Sequence, residues 1–318
     1  MIPGAPTAAS RPRHRRLLRG LALLAGLGLL GYVVSRYPLA AIASSLAQIG
    51  AIWLVTPLIA LLWQSANTRA FHTLVAHDVP FLLLLRAKLA SDGYGTLLPF
   101  GTVAGEAVRM KLLAPRLPGG LSIGAVLADR ALGDGVGLIY SSMAVLLLVF
   151  TFAPADPARA GLLTYAGVAA VGGVVLFGLL VTRFPGRIGA FVARRFGGGA
   201  VAIGDPPSAT ALVAAAGWQL VGRALGVAET ALLLYRLDLP HDLVTCVCIH
   251  GGLGAAGYIT FASPTGVGVM DAAAVIAFGL LGLPGEAAVA FALARRARIL
   301  LVGAAGVAWH VATQPRDA

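Results

Sequence analysis

The chain has 318 residues, of which 58% are hydrophobic and 12% charged, against roughly 25% charged residues in an ordinary soluble domain. That balance, with a mean hydropathy of +0.86, indicates a polytopic membrane protein and leaves almost no sequence for a soluble catalytic domain. The net charge of +11 is carried by short basic clusters between apolar runs, the pattern of topology signals and anionic-lipid contacts, not of a nucleic-acid surface.

Residues 1–16 form a Pro- and Arg-rich tail with Arg11, Arg13, Arg15 and Arg16. The run Leu17 to Ser35, apolar except for Arg19, reads as a retained first helix with a cytoplasmic N-terminus rather than a cleaved signal. A second span is expected from about Ile49 to Ala66, followed by Arg69, Arg86 and Lys88 on the cytoplasmic side. A less apolar segment from Phe81 to Leu98 carries Asp92 and Tyr94, which face the bundle interior or an interface.

The stretch Leu97 to Arg109 breaks this pattern. Pro99 deletes a backbone donor, and Gly101 and Gly105 weaken helical continuity, freeing peptide groups that lipid cannot satisfy. Glu106 and Arg109 then share a face if helix resumes after Gly105. A surface loop with a solvated ion pair competes with a wet intramembrane site. Because Arg109, Lys111 and Arg116 repeat the basic signal, the break either turns back as a re-entrant hairpin, the preferred solution, or ends a segment that never crosses.

A long helix follows from about Ser122 to Phe152, in which Arg130 and Asp134 are spaced to meet while Asp129 points elsewhere. After a Pro-containing loop, Gly161 to Val181 is a fully apolar span. Arg183, Arg187, Arg194 and Arg195, interleaved with Phe184, Phe191 and Phe196, suit a short helix on an anionic membrane surface better than RNA. The glycine run at 197–199 and the following Asp205-Pro206-Pro207 mark a linker and the midpoint.

The second half opens with a span from Ala209 to Tyr235 carrying Gln219, Arg223 and Glu229. Charges there either face the bundle or snorkel toward opposite ends. A span from Leu243 to Phe261 leads to a second break with Pro264, Gly266, Gly268 and Asp271, then an apolar helix to Leu283 and a last helix from Glu286 to Val311. Arg295, Arg296 and Arg298 lie too deep in that helix to be only a flanking cluster. Cys246 and Cys248 read as small buried hydrophobes, and His72, His77, His241, His250 and His310 as packed or interfacial residues without metal-ligand or triad spacing.

The breaks match: Pro99-x-Gly101 and Pro264-x-Gly266 each precede an acid by the same distance, Glu106 and Asp271, and each acid precedes an arginine, Arg130 and Arg296, by almost equal intervals. Two halves built on one plan is the simplest account. Interrupted segments at corresponding places point to a transporter site near the bilayer midplane. The expected fold class is an all-α polytopic membrane bundle with two pseudo-repeated halves and broken or re-entrant helices: one membrane domain over 17–312, halves about 17–200 and 201–312, and a tail at 313–318.

At these residues the chain resembles a known family. The pattern Leu98-Pro99 through Gly105-Glu106-x-x-Arg109, then Asp129-Arg130 and Asp134, then Ser263-Pro264-Thr265-Gly266-Val267-Gly268-Val269-x-Asp271, and finally Arg296, is similar to the flippase-like membrane region of lysylphosphatidylglycerol synthases, whose stand-alone relatives include hopanoid-biosynthesis-associated membrane proteins. Thr265 stands where the family typically has a glycine, and Asp271 where it has Glu. The resemblance implies lipid translocation, and the chain carries no soluble aminoacyl-transferring domain.

The leading expectation is therefore a bacterial inner-membrane transporter moving a phospholipid or hopanoid-class lipid between leaflets, without ATPase motifs, cofactors or metal. Its partners are membrane lipids and, in one variant, lipid-biosynthesis enzymes. The transport residues are Glu106, Arg109, Asp129, Arg130, Asp134, Arg223, Glu229, Asp271 and Arg296. A membrane-embedded lipid transferase with Glu106 or Asp271 as base, and a non-transporting assembly subunit, are the alternatives.

Overall fold

The computed structural model describes residues 28, 31–75, 79–97, 101–117, 121–152, 159–180, 182, 187–188, 191, 207–259 and 268–313. Ten α-helices make up the described bundle: α1 (Leu39–Ile49), α2 (Val55–Leu74), α3 (Phe81–Leu97), α4 (Gly101–Leu113), α5 (Leu121–Thr151), α6 (Arg159–Leu180), α7 (Ala209–Arg236), α8 (Leu243–Ile259), α9 (Val269–Leu280) and α10 (Gly285–Ala312). The stretches Leu39–Leu74, α5, α6 and α7 are long and apolar enough to cross a membrane. Large apolar side chains cover their outer faces, among them Leu58 and Leu62 on α2, Val171 and Val174 on α6, and Val213 and Leu220 on α7. An exposed surface of that kind is stable against lipid and costly against water.

Local sequence sets the helix ends. Gly50, at φ +53°, breaks the path between α1 and a 3-10 turn at Gly50–Leu54, so the second span starts its regular helix later than Ile49 and runs on to Leu74. The Ser208 hydroxyl caps α7 by accepting from the Ala211 N–H at 3.2 Å. Asp242 caps α8 more fully: one carboxylate oxygen accepts the Thr245 N–H at 3.0 Å and the other its hydroxyl at 2.7 Å. Those bonds hold the Asp242 carboxyl below the ordinary range for the residue.

The first break has a different form from the one expected. Helix resumes at Gly101, so Gly105 lies inside α4 and interrupts nothing. Its role is spatial: a Cβ there would collide with the Ser91 carbonyl of α3. The missing side chain lets the two arms of the α3–α4 hairpin meet backbone to backbone, the usual service of small residues between membrane helices. Pro99, Pro264 and Gly266 lie outside the described residues, whereas Gly268, at φ +79°, begins α9 as its N-cap.

The two halves repeat one plan. In order, α2 to α5 correspond to α7 to α10: a long helix, a short hairpin, and another long helix. The hairpin arms are 17 and 13 residues in the first half and 17 and 12 in the second, and the closing helices are 31 and 28. At about 1.5 Å per residue the hairpin arms are ~18–26 Å long, short of a ~30 Å hydrocarbon core.

The packing repeats as well. In the first half's hairpin arm, α3 lies along α10, with Gly93 against Gly303 and Leu89 against Gly306; in the second, α8 lies along α5, with Gly251 against Ala144 and Tyr258 against Gly137.

Equivalent helices α2 and α7 run antiparallel to each other. Trp63 and Asn67 face Gly222, and Ala70 and Leu74 pack with Leu212 and Ala215. At the other end Ile49 packs on Leu233, Leu234 and Leu237, and Arg236 donates to the Gln48 carbonyl at 2.9 Å. A two-fold axis that relates antiparallel helices is perpendicular to them. The repeat is therefore inverted, with the axis passing between α2 and α7.

Candidate functional site

Charged side chains in this bundle meet in pairs and clusters, some of them, such as Arg109, Glu229, Asp271 and Arg298, buried and others, such as Arg130 and Asp134, half-buried. The first group surrounds α4. Arg109 is 1% exposed, with its guanidinium 4.1 Å above the Phe71 ring. Its Nη1 lies 2.7 Å from Asp129 on α5 and 3.5 Å from Glu106 one turn back. Glu106 also faces Arg130 at 4.0 Å, and Arg130 binds Asp134 at 2.6 Å. Asp129 and Arg130 are neighbours in sequence and so diverge around α5, which allows one helix to serve both sides of the acid.

This group extends into α3. Lys88 binds Asp92 at 2.9 Å, and the second Asp92 oxygen accepts a hydrogen bond from the Gln64 amide of α2. Lys88 also lies within electrostatic reach of Glu106 and Arg109. Counting Lys88, Arg109 and Arg130 against Asp92, Glu106, Asp129 and Asp134, the group is nearly neutral, which keeps several buried charges tolerable in a low dielectric. Glu106 Oε2, Asp129 Oδ1 and Arg109 Nε nevertheless have no hydrogen-bond partner.

The second group belongs to α7 and the last helix. Glu229, 1% exposed, accepts two hydrogen bonds from Arg298, Nε to Oε1 and Nη2 to Oε2, each 3.0 Å. This is the bidentate fork that favours arginine over lysine at buried carboxylates. Asp271 accepts the Gly268 N–H at 2.9 Å, closing the first turn of α9, and binds Arg296. The acid of each hairpin thus meets the arginine of the long helix that follows: Glu106 with Arg130, Asp271 with Arg296.

Between the groups lie Arg223, His250 and Tyr258. Arg223 donates to the Gly133 carbonyl at 3.3 Å and hydrogen-bonds Tyr258, which itself lies within electrostatic reach of Asp134 and Arg130. Tyr258 is in the last turn of α8, immediately before the second break. The first half's ion pairs therefore adjoin the entry to the second half's break. Among the described residues, no ion pair joins Glu106 directly to Asp271; their helices α4 and α9 are linked through α3, α10 and α8.

Of the nine residues expected to matter, Glu106, Arg109, Asp129, Arg130 and Asp134 form one cluster, with Arg223 beside it. Asp271 and Arg296 form a separate pair. Glu229 is paired, not snorkelling, and its partner is Arg298, which the sequence places deep in the last helix but not among the transport residues. Lys88 and Asp92 were also missed as a site, although their i, i+4 spacing inside an apolar segment was a visible signal. Tyr258 left no signal in sequence. Cys246 and Cys248 are buried. His72, His241 and His310 meet Phe81, Tyr235 and Tyr94 respectively edge to face, while His77 lies outside the described residues.

Comparison with known proteins adds a family. The model of the lysylphosphatidylglycerol synthase TM region matches residues 19–306. No curated protein and no solved structure gives a significant match. Since the match takes in both hairpins and both groups of ion pairs, the chain belongs to the family of lysylphosphatidylglycerol synthase membrane regions.

Proposed function

We propose that the protein moves a polar-headed lipid between the two leaflets of a bacterial inner membrane, without changing it covalently. The observation that carries this reading is the inverted repeat with a short hairpin in each half, each holding an acid, half-buried Glu106 or buried Asp271, against an arginine. Inverted repeats with discontinuous helices allow one half to rock against the other around a fixed site, exposing that site to each side in turn.

Ion pairs in such a bundle serve as exchangeable partners. An arginine held by a carboxylate is kept desolvated and oriented, and a lipid headgroup can take the carboxylate's place without a bare charge ever facing hydrocarbon. Acyl chains remain in the bilayer beside the apolar outer faces of α6 and α7. The chain has no Walker motif, so net movement draws on an ion gradient or on downhill flow of the lipid.

In the oriented membrane, the basic residues Arg86, Lys111, Arg116 and Arg187 fall on one side if both hairpins return to the side they left, and positive-inside bias makes that side cytoplasmic. Purified protein in liposomes, assayed by dithionite quenching of fluorescent envelope lipids and by mass spectrometry of the recovered lipid, tests the reading. Faster leaflet exchange of at least one lipid, with its mass unchanged, is expected. Covalent change would replace transport by a transferase reading, and unchanged exchange of every lipid would refute it.

A further inference from the structure

The first group of charges has one acid more than its bases hold. Each base there has one near carboxylate: Lys88 lies 2.9 Å from Asp92, Arg109 2.7 Å from Asp129 and Arg130 2.6 Å from Asp134. Glu106 is left over. It reaches only bases that are already engaged, Arg109 at 3.5 Å and Arg130 at 4.0 Å. Its counterpart in the second half, Asp271, is committed to the Gly268 N–H at 2.9 Å and to Arg296. The repeat therefore holds two equivalent acids in different states, one fixed and one spare.

Two oxygens at the spare acid lack a donor. Glu106 Oε2 and Asp129 Oδ1 are buried and have no hydrogen-bond partner among the described residues, and Asp129 as a whole is 7% exposed. Both carboxylates flank one nitrogen, Arg109 Nη1, and a single guanidinium charge does not neutralise two acids. The other groups around Glu106 are occupied with each other: Lys88 with Asp92 on α3, and Arg130 with Asp134 on α5, with Tyr258 and Arg223 beyond that pair. Buried carboxylate oxygens without donors are costly. One proton removes the cost on both sides. Carried by Glu106, it makes Oε2 a donor, offers Asp129 Oδ1 a hydrogen bond to accept, and balances three bases with three ionised acids.

We propose that Glu106 and Asp129 share one exchangeable proton, and that this proton is the ion coupled to lipid movement. The two carboxyls titrate as a unit. Release breaks the carboxyl O–H bond, passes the proton to water and leaves a second carboxylate on Arg109; uptake reverses each step. Glu106 is the member open to water, with a side chain 15% exposed against 9% for Asp129. The coupling rests on the transport reading, whereas the proton site does not.

Infrared difference spectra of the full-length protein in liposomes, taken between alkaline and acidic buffer in H2O and in D2O, test the site. The native protein is expected to show a protonated-carboxyl band that shifts in D2O, is lost in E106Q and is displaced in D129N. D238N, which alters an exposed acid at the far end of α7, is expected to keep it. Melting supplies a second reading. The carboxamide of E106Q stands in for the protonated carboxyl, so E106Q is expected to melt at or above the native temperature, while D129N strips Arg109 of its near partner and melts lower. A band unchanged in E106Q and D129N, or E106Q melting well below native protein, overturns the shared proton.

Coupling is read from the final leaflet distribution of NBD-labelled phosphatidylglycerol and phosphatidylethanolamine in proteoliposomes. A pH difference is imposed while valinomycin and equal potassium hold the membrane potential at zero. One proton per lipid gives a distribution ratio of about 10-fold per pH unit. E106Q, however slow, is expected to reach the even distribution found without a gradient. Native protein that exchanges lipid yet leaves it evenly distributed overturns the coupling, as does a distribution that follows a sodium gradient at equal pH. Exchange of neither lipid counts against transport, and the infrared band then decides the proton site alone.

Discussion

Glu229 and Arg298 show at the scale of single residues why burial decides what a charge is worth here. Their two hydrogen bonds of 3.0 Å offset desolvation only while both partners are present. E229A or R298A alone is expected to destabilise the protein by ~3–5 kcal/mol, and the pair replaced together, E229L with R298M, by clearly less than the sum of the two. Melting of the four proteins in one detergent checks this; additive losses would mean that the two groups do not act as a unit. Glu229 was visible in the sequence as an acid inside a span, but its arginine was not, because the two stand 69 positions apart and three arginines crowd the last helix. Arg298 became identifiable only when the antiparallel packing of the bundle was known.

A smaller effect belongs to Asp242, which titrates outside the bundle. Its folded carboxyl lies below the ordinary value because Thr245 donates to the ionised form. The resulting stabilisation is fully present above the unfolded pKa, ~3.9, and is lost as pH falls through the lower folded value. D242A is therefore expected to destabilise the protein at neutral pH by the ~1 kcal/mol typical of a lost cap, with the gap in melting temperature from native protein shrinking in acid. A difference that holds constant down to strongly acidic pH would rule this cap out as the cause.

Helices give the next scale, and there the close approaches govern. Gly93, Gly303 and Gly306 let α3 lie against α10 with backbone atoms in contact, while between α5 and α8 Gly137 makes room for the Tyr258 side chain and Gly251 for the Ala144 methyl group. G93A and G306A each insert a methyl group where carbonyl oxygens already stand, and each is expected to cost ~1–3 kcal/mol. G217A and G254A, with open space around them, are expected to be neutral or slightly stabilising through helix propensity. Equal melting of all four variants would contradict the role given to these crossings.

The helix limits themselves were largely legible, since long apolar runs with polar ends specify spans directly. Gly105 was misread because a glycine required for close packing and a glycine that ends a helix are the same letter; only the partner backbone at Ser91 distinguishes them.

For the whole molecule, the matched spacing of Glu106 to Arg130 and Asp271 to Arg296 announced the repeat correctly, and each interval proved to be the reach from a hairpin to the next helix. That the halves are inverted could not be seen in those intervals, because spacing along a chain carries no direction relative to a membrane. The inversion follows from α2 and α7 lying antiparallel. In a cysteine-free background with Cys246 and Cys248 replaced, single cysteines from R116C and R187C are expected to react with an impermeant maleimide from one side of the membrane. Those from T151C and D238C should react from the other, and labelling of R116C and T151C from the same side would break the topology.

Transport through a route shared by both halves requires the acid of each hairpin, although Glu106 and Asp271 have separate ion-pair partners. Leaflet exchange in proteoliposomes containing E106Q, D271N or native protein, each verified by its melting curve, addresses that requirement directly. Either single substitution is expected to slow exchange by about 10-fold or more, as loss of a buried charge-assisted contact implies. Exchange at the native rate in folded E106Q and D271N alike would contradict it.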